Sequence, residues 1–135
     1  MEPILQKQYS IILYKSSYLS LLSTLYCYYR QHYTLVFVPG TVFLTSINYW
    51  RHPTNSWRRW IDIGCVVILG LYQIKTAWTA ENRNAYYTFV LSAIGCYPVG
   101  YHYYNNGMYL ESTYLQVLLH ILMAVANITL YHGKI

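Results

Sequence analysis

The chain has 135 residues, a length that suits one domain. Hydrophobic residues make up 56% of it and charged residues only 10%, whereas soluble domains carry roughly 25% charged residues. The formal net charge of +5 arises because acidic residues are few, and the basic residues are distributed between apolar runs. Since they form no basic cluster of the kind that binds nucleic acid, we expect anionic lipid headgroups rather than nucleic acid as the partner of this charge.

Five apolar segments reach or approach the length that crosses a bilayer, which is about 20 residues with a range of roughly 17–25. The first, residues 10–29, is the least apolar because it contains Lys15 and several serines. It therefore either spans the membrane or lies along its surface. The second, residues 34–50, is short, and Pro39–Gly40 predicts a kink within it.

The last three segments, residues 60–79, 85–104 and 113–131, are strongly apolar and lack the regular polar positions of a solvent-facing helix. The connections after the second segment are polar or rich in turn-forming residues, namely 51–56, 81–84 and 105–108. Because a bilayer offers the backbone no hydrogen-bond partners, spanning segments must be helical. The sequence therefore predicts an all-α polytopic transmembrane bundle, a single integral membrane domain over residues 1–135 with about five spans, or four if the first segment is interfacial.

The orientation is predicted from the basic residues at the ends of the segments. With alternating spans, one side carries Lys7, Arg51, Arg58 and Arg59, and the other carries Arg30, Arg83 and Lys134. The positive-inside rule then favours a cytoplasmic N-terminus and a cytoplasmic loop at residues 51–59. Trp50, Trp57 and Trp60 flank this loop and indicate an aromatic belt at the membrane surface. The first ten residues lack a basic region followed by a cleavage site, so we expect no removable signal peptide.

Polar residues in the fifth segment fall on one helical face. Thr113, Gln116, His120 and Asn127 are spaced by three, four and seven residues, and Ala124 continues the same stripe. Polar groups inside a membrane are costly, so each requires a partner or a purpose. The stripe is expected either to contact neighbouring helices or to line a pathway.

Four residues could form a metal site on one side of the bundle. His52 follows the second segment, Asp62 begins the third and His102 lies near the end of the fourth, so alternation places them on the same membrane side. His120 lies deeper, and a cavity that reaches it from that side is allowed. Two histidines and a carboxylate suit a catalytic zinc ion with water in its open position. The alternative is an ion pair between Asp62 and the arginines three and four residues before it.

This pattern of a Ser and a His near the end of one span, an Asp at the start of the next and a His in the last span resembles a known family. It is similar to the membrane hydrolase superfamily of alkaline ceramidases and progestin/adiponectin receptors, seven-helix proteins with three His and one Asp around zinc and a Ser nearby. The resemblance implies zinc ligands at His52, Asp62 and His120, with His102 as the candidate third histidine. It also implies that Ser46 supplies the neighbouring catalytic hydroxyl.

The chain departs from that family at two motif positions. The family's Ser usually precedes its His by four residues, where this chain has Asn48, and the second His of its final HxxxH motif falls at Ala124. The chain also has two helices fewer. Residues 44–131, with the stretches SINYWRHP and LLHILMAVANITLY, further resemble small uncharacterised multi-pass membrane proteins of protists and large DNA viruses. That second resemblance implies no activity.

Three functions are compatible with these observations. The favoured one is a structural or assembly role of a multi-pass membrane protein without catalysis or cofactor, with the lipid bilayer and a partner helix or a second copy of the chain as partners. One alternative is a zinc-dependent hydrolase of lipid amide or ester bonds. The other is a channel or transporter subunit in which the stripe of the fifth segment lines the pathway.

Overall fold

The computed structural model describes residues 2–135, and this part of the chain is all-helical, with 79% of it in helices and no strand. The helices are α1 Lys7–Ser16, α2 Tyr18–Tyr29, α3 Phe37–Trp50, α4 Trp57–Thr76, α5 Arg83–Asn105 and α6 Tyr109–His132, and a 3-10 turn Ala77–Thr79 extends α4. The predicted all-α class is therefore confirmed. Each of the five apolar segments lies on one helical rod, with α1 and α2 forming the first rod together.

The first rod is interrupted only at Ser17. The Ser17 hydroxyl donates a hydrogen bond of 2.8 Å to the carbonyl of Leu13, and its backbone N–H donates to the same oxygen at 3.0 Å. A serine that bonds back to the preceding turn in this way often bends a helix. In α3, Pro39 lies in the first turn, where the missing N–H costs no helical hydrogen bond. The kink predicted at Pro39–Gly40 therefore falls in the first turn of α3 and not in the interior of a longer helix.

The connections between the rods meet at two opposite ends. At the N-terminal end of the bundle, Ile4 N–H donates to the carbonyl of Pro53 at 2.9 Å, and the Tyr104 hydroxyl donates to the carbonyl of Ile4. At the C-terminal end, Glu81 N–H donates to the carbonyl of Lys134 at 2.7 Å. Since successive connections lie at opposite ends, the five rods run alternately up and down.

The rods are arranged as an open arc. Along the arc the order is α4, α3, the α1–α2 rod, α6 and α5, and each rod packs on the next. The two ends of the arc are therefore α4 and α5. Along most of their length α4 and α5 barely touch. They are joined near the C-terminal end, where the Tyr87 hydroxyl of α5 donates to the carbonyl of Ile74 in α4 at 2.8 Å. The buried apolar core, which includes Tyr86, Leu130 and Tyr131, also lies at that end. The arc consequently leaves a gap between α4 and α5 at the N-terminal end.

Two segments, Trp57–Thr79 and Tyr109–His132, are long and apolar enough to cross a membrane by length and composition, which weakly suggests membrane association. The surface of the bundle is also apolar: Ile68 and Leu91 are each 68% exposed, and Leu25 is 59% exposed. Large aliphatic side chains thus lie on the surface, while the interior holds both an apolar core and several polar side chains.

Candidate functional site

A half-open cleft occupies the gap between α4 and α5 at the N-terminal end. Its volume is about 170 Å³, more than ten times the roughly 10–15 Å³ that one water molecule needs. The walls are Arg59 and Asp62 of α4 and Tyr101 of α5, and α6 contributes Gln116. Residues 3–6, which we call the N-terminal strap, cover the top through Ile4 and Leu5. The cleft is thus large enough for a small polar group and contains both signs of charge.

Asp62 is the buried charge of the cleft, with only 8% of its surface exposed. Its Oδ1 atom accepts hydrogen bonds from the hydroxyls of Thr45 at 3.1 Å and Ser46 at 3.0 Å, both on α3. Because α4 packs on α3, these two consecutive residues face the start of α4. They hold the carboxylate in place through one oxygen and leave Oδ2 without a hydrogen bond from any residue in the described part of the chain.

The two arginines before Asp62 have other partners. Arg58 donates to the carbonyls of Asn48 at 3.1 Å and His52 at 2.8 Å, where it satisfies groups at the C-terminal end of α3. Arg59 donates to Oδ1 of Asn55 at 3.3 Å, and its guanidinium lies 5.2 Å from the centre of the Trp60 ring. The ion pair considered from the sequence, between Asp62 and these arginines, is therefore not formed.

Several polar atoms along the cleft have no partner within the protein. Over residues 2–135, Oδ2 of Asp62, Oγ of Ser112 and Oε1 of Gln116 form no hydrogen bond, and all three residues line the cleft. Every fully buried side-chain nitrogen or oxygen in this part of the chain has a partner. Because no fully buried side-chain oxygen of the described residues lacks a partner, these three oxygens are at least partly exposed, and water or a ligand can donate to them.

His120 lies below the cleft and is held by its neighbours. Its Nδ1 is 2.6 Å from the Ser16 hydroxyl, and its Nε2 is 3.4 Å from the side-chain nitrogen of Gln116. The Ser16 hydroxyl in turn donates to the carbonyl of Leu13 at 3.1 Å. These contacts fit a neutral imidazole that carries its proton on Nδ1 and accepts from Gln116 at Nε2. The histidine therefore links α6 to α1.

Further towards the C-terminal end, a buried set of polar side chains joins three helices. We call Gln73, Tyr86, Asn127 and Tyr131 the glutamine cluster. The Gln73 side-chain nitrogen donates to Oδ1 of Asn127 at 2.7 Å and to the Tyr86 hydroxyl at 3.1 Å, and the Tyr131 hydroxyl donates to Oε1 of Gln73. This connects α4 with α5 and α6. The sequence contains one signal for this cluster, the amide of Gln73 in the third apolar segment, which was not among the predicted site residues.

The polar stripe of α6 faces the interior of the bundle. Of the two expectations for it, contact with neighbouring helices or the lining of a pathway, the observed contacts fit the first. Thr113, Ala124 and Asn127 are buried. Asn127 and His120 contact other helices, at Gln73 and Ser16. The stripe therefore makes interhelical contacts along the inside of the bundle.

The four candidate metal ligands do not converge in this arrangement. His52 is exposed on the loop after α3, and His102 is exposed on α5, where its nearest polar partner is Asn106 at 3.4 Å. Only Asp62 of the four lines the cleft. No group of three or more His, Cys, Asp and Glu residues within 2–135 is close enough to hold a metal ion. The zinc site and the catalytic role of Ser46, which is bonded to Asp62, stay predictions.

Comparison of the chain with protein-family models, with curated proteins and with solved structures finds no match. Both family resemblances therefore stay predictions. The cleft, His120 and the glutamine cluster must be interpreted from their own chemistry.

Proposed function

We propose that the chain is a five-span integral membrane protein with a structural or assembly role. The observation that carries the proposal is the distribution of polarity: apolar side chains such as Ile68, Leu71 and Leu91 face outward, while hydrogen-bonded polar groups lie between the helices. In water such a surface would be unfavourable by roughly 25 cal/mol for each Å² of exposed apolar area. Hydrocarbon removes that cost, since lipid tails are as apolar as the side chains.

The dimensions of the rods support this placement. At 1.5 Å per residue, α4 with 20 residues is about 30 Å long and α6 with 24 residues about 36 Å. The hydrocarbon core of a bilayer is about 30 Å thick. The shortest rod is α3 with 14 residues, about 21 Å, and it begins after the turn-containing residues 33–36.

Aromatic residues at both ends of α4 also fit a membrane. Trp57 and Trp60 lie exposed at its start and Trp78 at the end of its 3-10 extension. Trp60 and Trp78 are about 27 Å apart along the helix axis. Each has an arginine over its ring at 5.2 Å, namely Arg59 and Arg83. Tryptophan beside arginine is typical of the membrane–water interface, so these residues support an anchor at each surface.

The interior favours a structural role over catalysis. Hydrogen bonds cross between helices within the glutamine cluster and, separately, between His120 and Ser16, which is how polar residues stabilise helix packing in membranes. A channel or transporter subunit is the second candidate, because Asp62, Gln116 and His120 extend inward from one end. Such a pathway would have to pass Ala124, which is buried against neighbouring helices.

Spin-label accessibility tests the proposal. Single cysteines replace Leu25, Ile68 and Leu91 in a chain without its three native cysteines, and each labelled variant is reconstituted into lipid vesicles. All three labels should collide readily with oxygen, which is lipid-soluble, and poorly with a water-soluble nickel complex. A label at exposed Asn55, in the loop after α3, should behave in the opposite way. Easy access of the nickel complex to the first three positions would contradict the membrane placement.

A flux assay separates the second candidate from the first. Vesicles containing the purified chain are loaded with a pH-sensitive or ion-sensitive dye and compared with vesicles containing a His120→Ala variant. The structural role predicts no flux above that of protein-free vesicles in either case. Flux that the variant abolishes would favour the channel or transporter subunit instead.

A further inference from the structure

We propose that the cleft binds the phosphoethanolamine headgroup of a membrane phospholipid, with its ammonium group at Asp62 and its phosphate at Arg59. The proposal rests on the membrane placement argued above. It assigns a ligand to the cleft, which is explained neither by the structural role nor by the zinc hypothesis.

The way into the cleft favours a lipid over a soluble ligand. The N-terminal strap covers the top and is fixed by the contacts of Ile4 with Pro53 and Tyr104. The remaining opening lies at the side, between α4 and α5, where Tyr97 and Tyr101 of the wall are more than half exposed. A ligand that enters there comes from the bilayer, with its acyl chains left outside among the apolar side chains of the two helices.

The charges of the cleft match a zwitterion. Arg59 and Asp62 lie three residues apart on α4, about 4.5 Å along the axis, and both line the cleft. They are not paired with each other, so neither side chain has a counter-charge from the other. Partly buried charges are stabilised when a counter-charge is supplied. A phosphate and an ammonium group joined by a two-carbon linker supply both counter-charges in one molecule.

The unpartnered oxygens indicate a primary ammonium group rather than a quaternary one. Three residues that line the cleft, Asp62, Ser112 and Gln116, each have an acceptor oxygen without a partner in residues 2–135, namely Oδ2, Oγ and Oε1. A primary ammonium group has three N–H donors, whereas the trimethylammonium of choline has none. The tyrosines of the wall would attract either cation through their ring faces. The acceptors therefore set the preference for ethanolamine over choline.

Hydrogen bonds from α3 hold the carboxylate of Asp62 in a fixed position. Thr45 and Ser46 both bond to Oδ1, so the carboxylate is held with Oδ2 free. These two are positioning residues for the ligand. A carboxylate fixed in advance loses less entropy when it binds, which raises affinity without an additional contact.

Lipid retention tests the proposal. The full-length chain is reconstituted in mixed vesicles of phosphatidylcholine and phosphatidylethanolamine, extracted in mild detergent, and its bound lipids are counted by native mass spectrometry. The wild type should retain phosphatidylethanolamine about tenfold over its share in the vesicles, as expected for charge-assisted hydrogen bonds. Asp62→Asn should abolish this preference. Arg59→Gln should lower retention of both lipids while preserving their ratio.

Two further variants keep the result interpretable. Glu111→Gln removes an exposed acidic charge at the start of α6, outside the cleft, and should leave the preference unchanged. Ser112→Ala removes one acceptor that has no protein partner, so it should fold normally and lower the preference about threefold. If Asp62→Asn fails to fold, Ser112→Ala decides the question.

Three outcomes would overturn the proposal. Equal retention of the two lipids by the wild type is one, and an unchanged preference in Ser112→Ala is another. The third is binding of soluble phosphoethanolamine as tightly as the lipid, which would identify a free metabolite as the ligand. Each can occur while the spin labels still report a membrane-embedded bundle, so failure here is distinct from failure of the proposed function.

Discussion

Ser46 of α3 and Asp62 of α4 are joined by a hydrogen bond of 3.0 Å in which the hydroxyl donates to the carboxylate. The contact connects two neighbouring helices at the point where the chain has just reversed direction. Because Thr45 donates to the same oxygen, Oδ1 has two partners and Oδ2 has none among residues 2–135, and Asp62 is one of the residues that line the cleft. This relationship contributes to the packing of the α3–α4 hairpin and restrains the carboxylate of Asp62.

Removing the Ser46 hydroxyl should therefore weaken the hairpin. Ser46→Ala leaves Asp62 with one hydroxyl donor instead of two, and we expect the free energy of unfolding to fall by about 1–2 kcal/mol. Unfolding by a denaturing detergent in mixed micelles measures this change. Ser92→Ala is the control, since that exposed hydroxyl bonds only to the carbonyl of Thr88 in its own helix. Equal effects of the two variants would show that the Ser46–Asp62 bond contributes nothing specific.

The glutamine cluster provides a second stability prediction. Gln73→Leu leaves Asn127, Tyr86 and Tyr131 with unpaired groups, which should cost about 1–3 kcal/mol. Asn127→Leu alone removes a single acceptor and should cost less. In the double variant the two losses should be less than additive, by about 0.6 kcal/mol as is usual for hydrogen bonds between membrane helices. Strict additivity in the double-mutant cycle would mean that the two side chains do not interact.

The two neighbouring arginines should have different roles. Arg58→Gln removes the donor to the carbonyls of Asn48 and His52, so the loop after α3 should open and proteolysis within residues 51–56 should accelerate several-fold. Arg59→Gln removes an exposed contact to Asn55 and the position over the Trp60 ring but no bond to the carbonyls of the loop, so it should leave the cleavage rate near that of the wild type. If both variants raise the rate equally, the basic residues act through net charge rather than through the contacts of Arg58.

Metal analysis tests the zinc hypothesis against the arrangement of its four candidate ligands. Since His52 and His102 are exposed and neither lines the cleft with Asp62, we expect no stoichiometric zinc in protein purified without a His-tag or chelator. His120→Ala should then change only stability, through the lost contact with Ser16. One zinc per chain, lost in that variant, would instead support the hydrolase resemblance and require the loop with His52 to move inward.

The sequence was sufficient for the helices because long apolar runs allow few other structures. It also predicted the inward face of α6, since the spacing of Thr113, Gln116, His120 and Asn127 specifies one side of a helix without reference to other helices. The sequence did not indicate the role of three members of the glutamine cluster, Gln73, Tyr86 and Tyr131. Their significance depends on which helices are neighbours, and local spacing contains no such information.

The surroundings of Asp62 show the same limit. Helical spacing favoured the arginines three and four residues before it as partners, but α4 packs on α3 and brings Thr45 and Ser46 closer to the carboxylate. The arginines instead bond to groups of the preceding loop and helix end. The sequence allowed a cavity on the side of Asp62 but could not predict the cleft itself. The shape of the cleft follows from the separation of α4 and α5 at one end of the arc.

The number of membrane crossings is tested most directly by labelling the segment before the first rod and the four connections between the rods. Single cysteines at Gln6, Thr34, Asn55, Thr79 and Asn106, all exposed, are introduced into the chain lacking its native cysteines and treated in sealed, oriented vesicles with a membrane-impermeant maleimide. A five-span bundle predicts that Gln6, Asn55 and Asn106 react from one side and that Thr34 and Thr79 react only from the other. Reaction of Gln6 from the side of Thr34 would mean that the first rod does not cross, and reaction of Asn55 and Asn106 from opposite sides would contradict the alternating bundle.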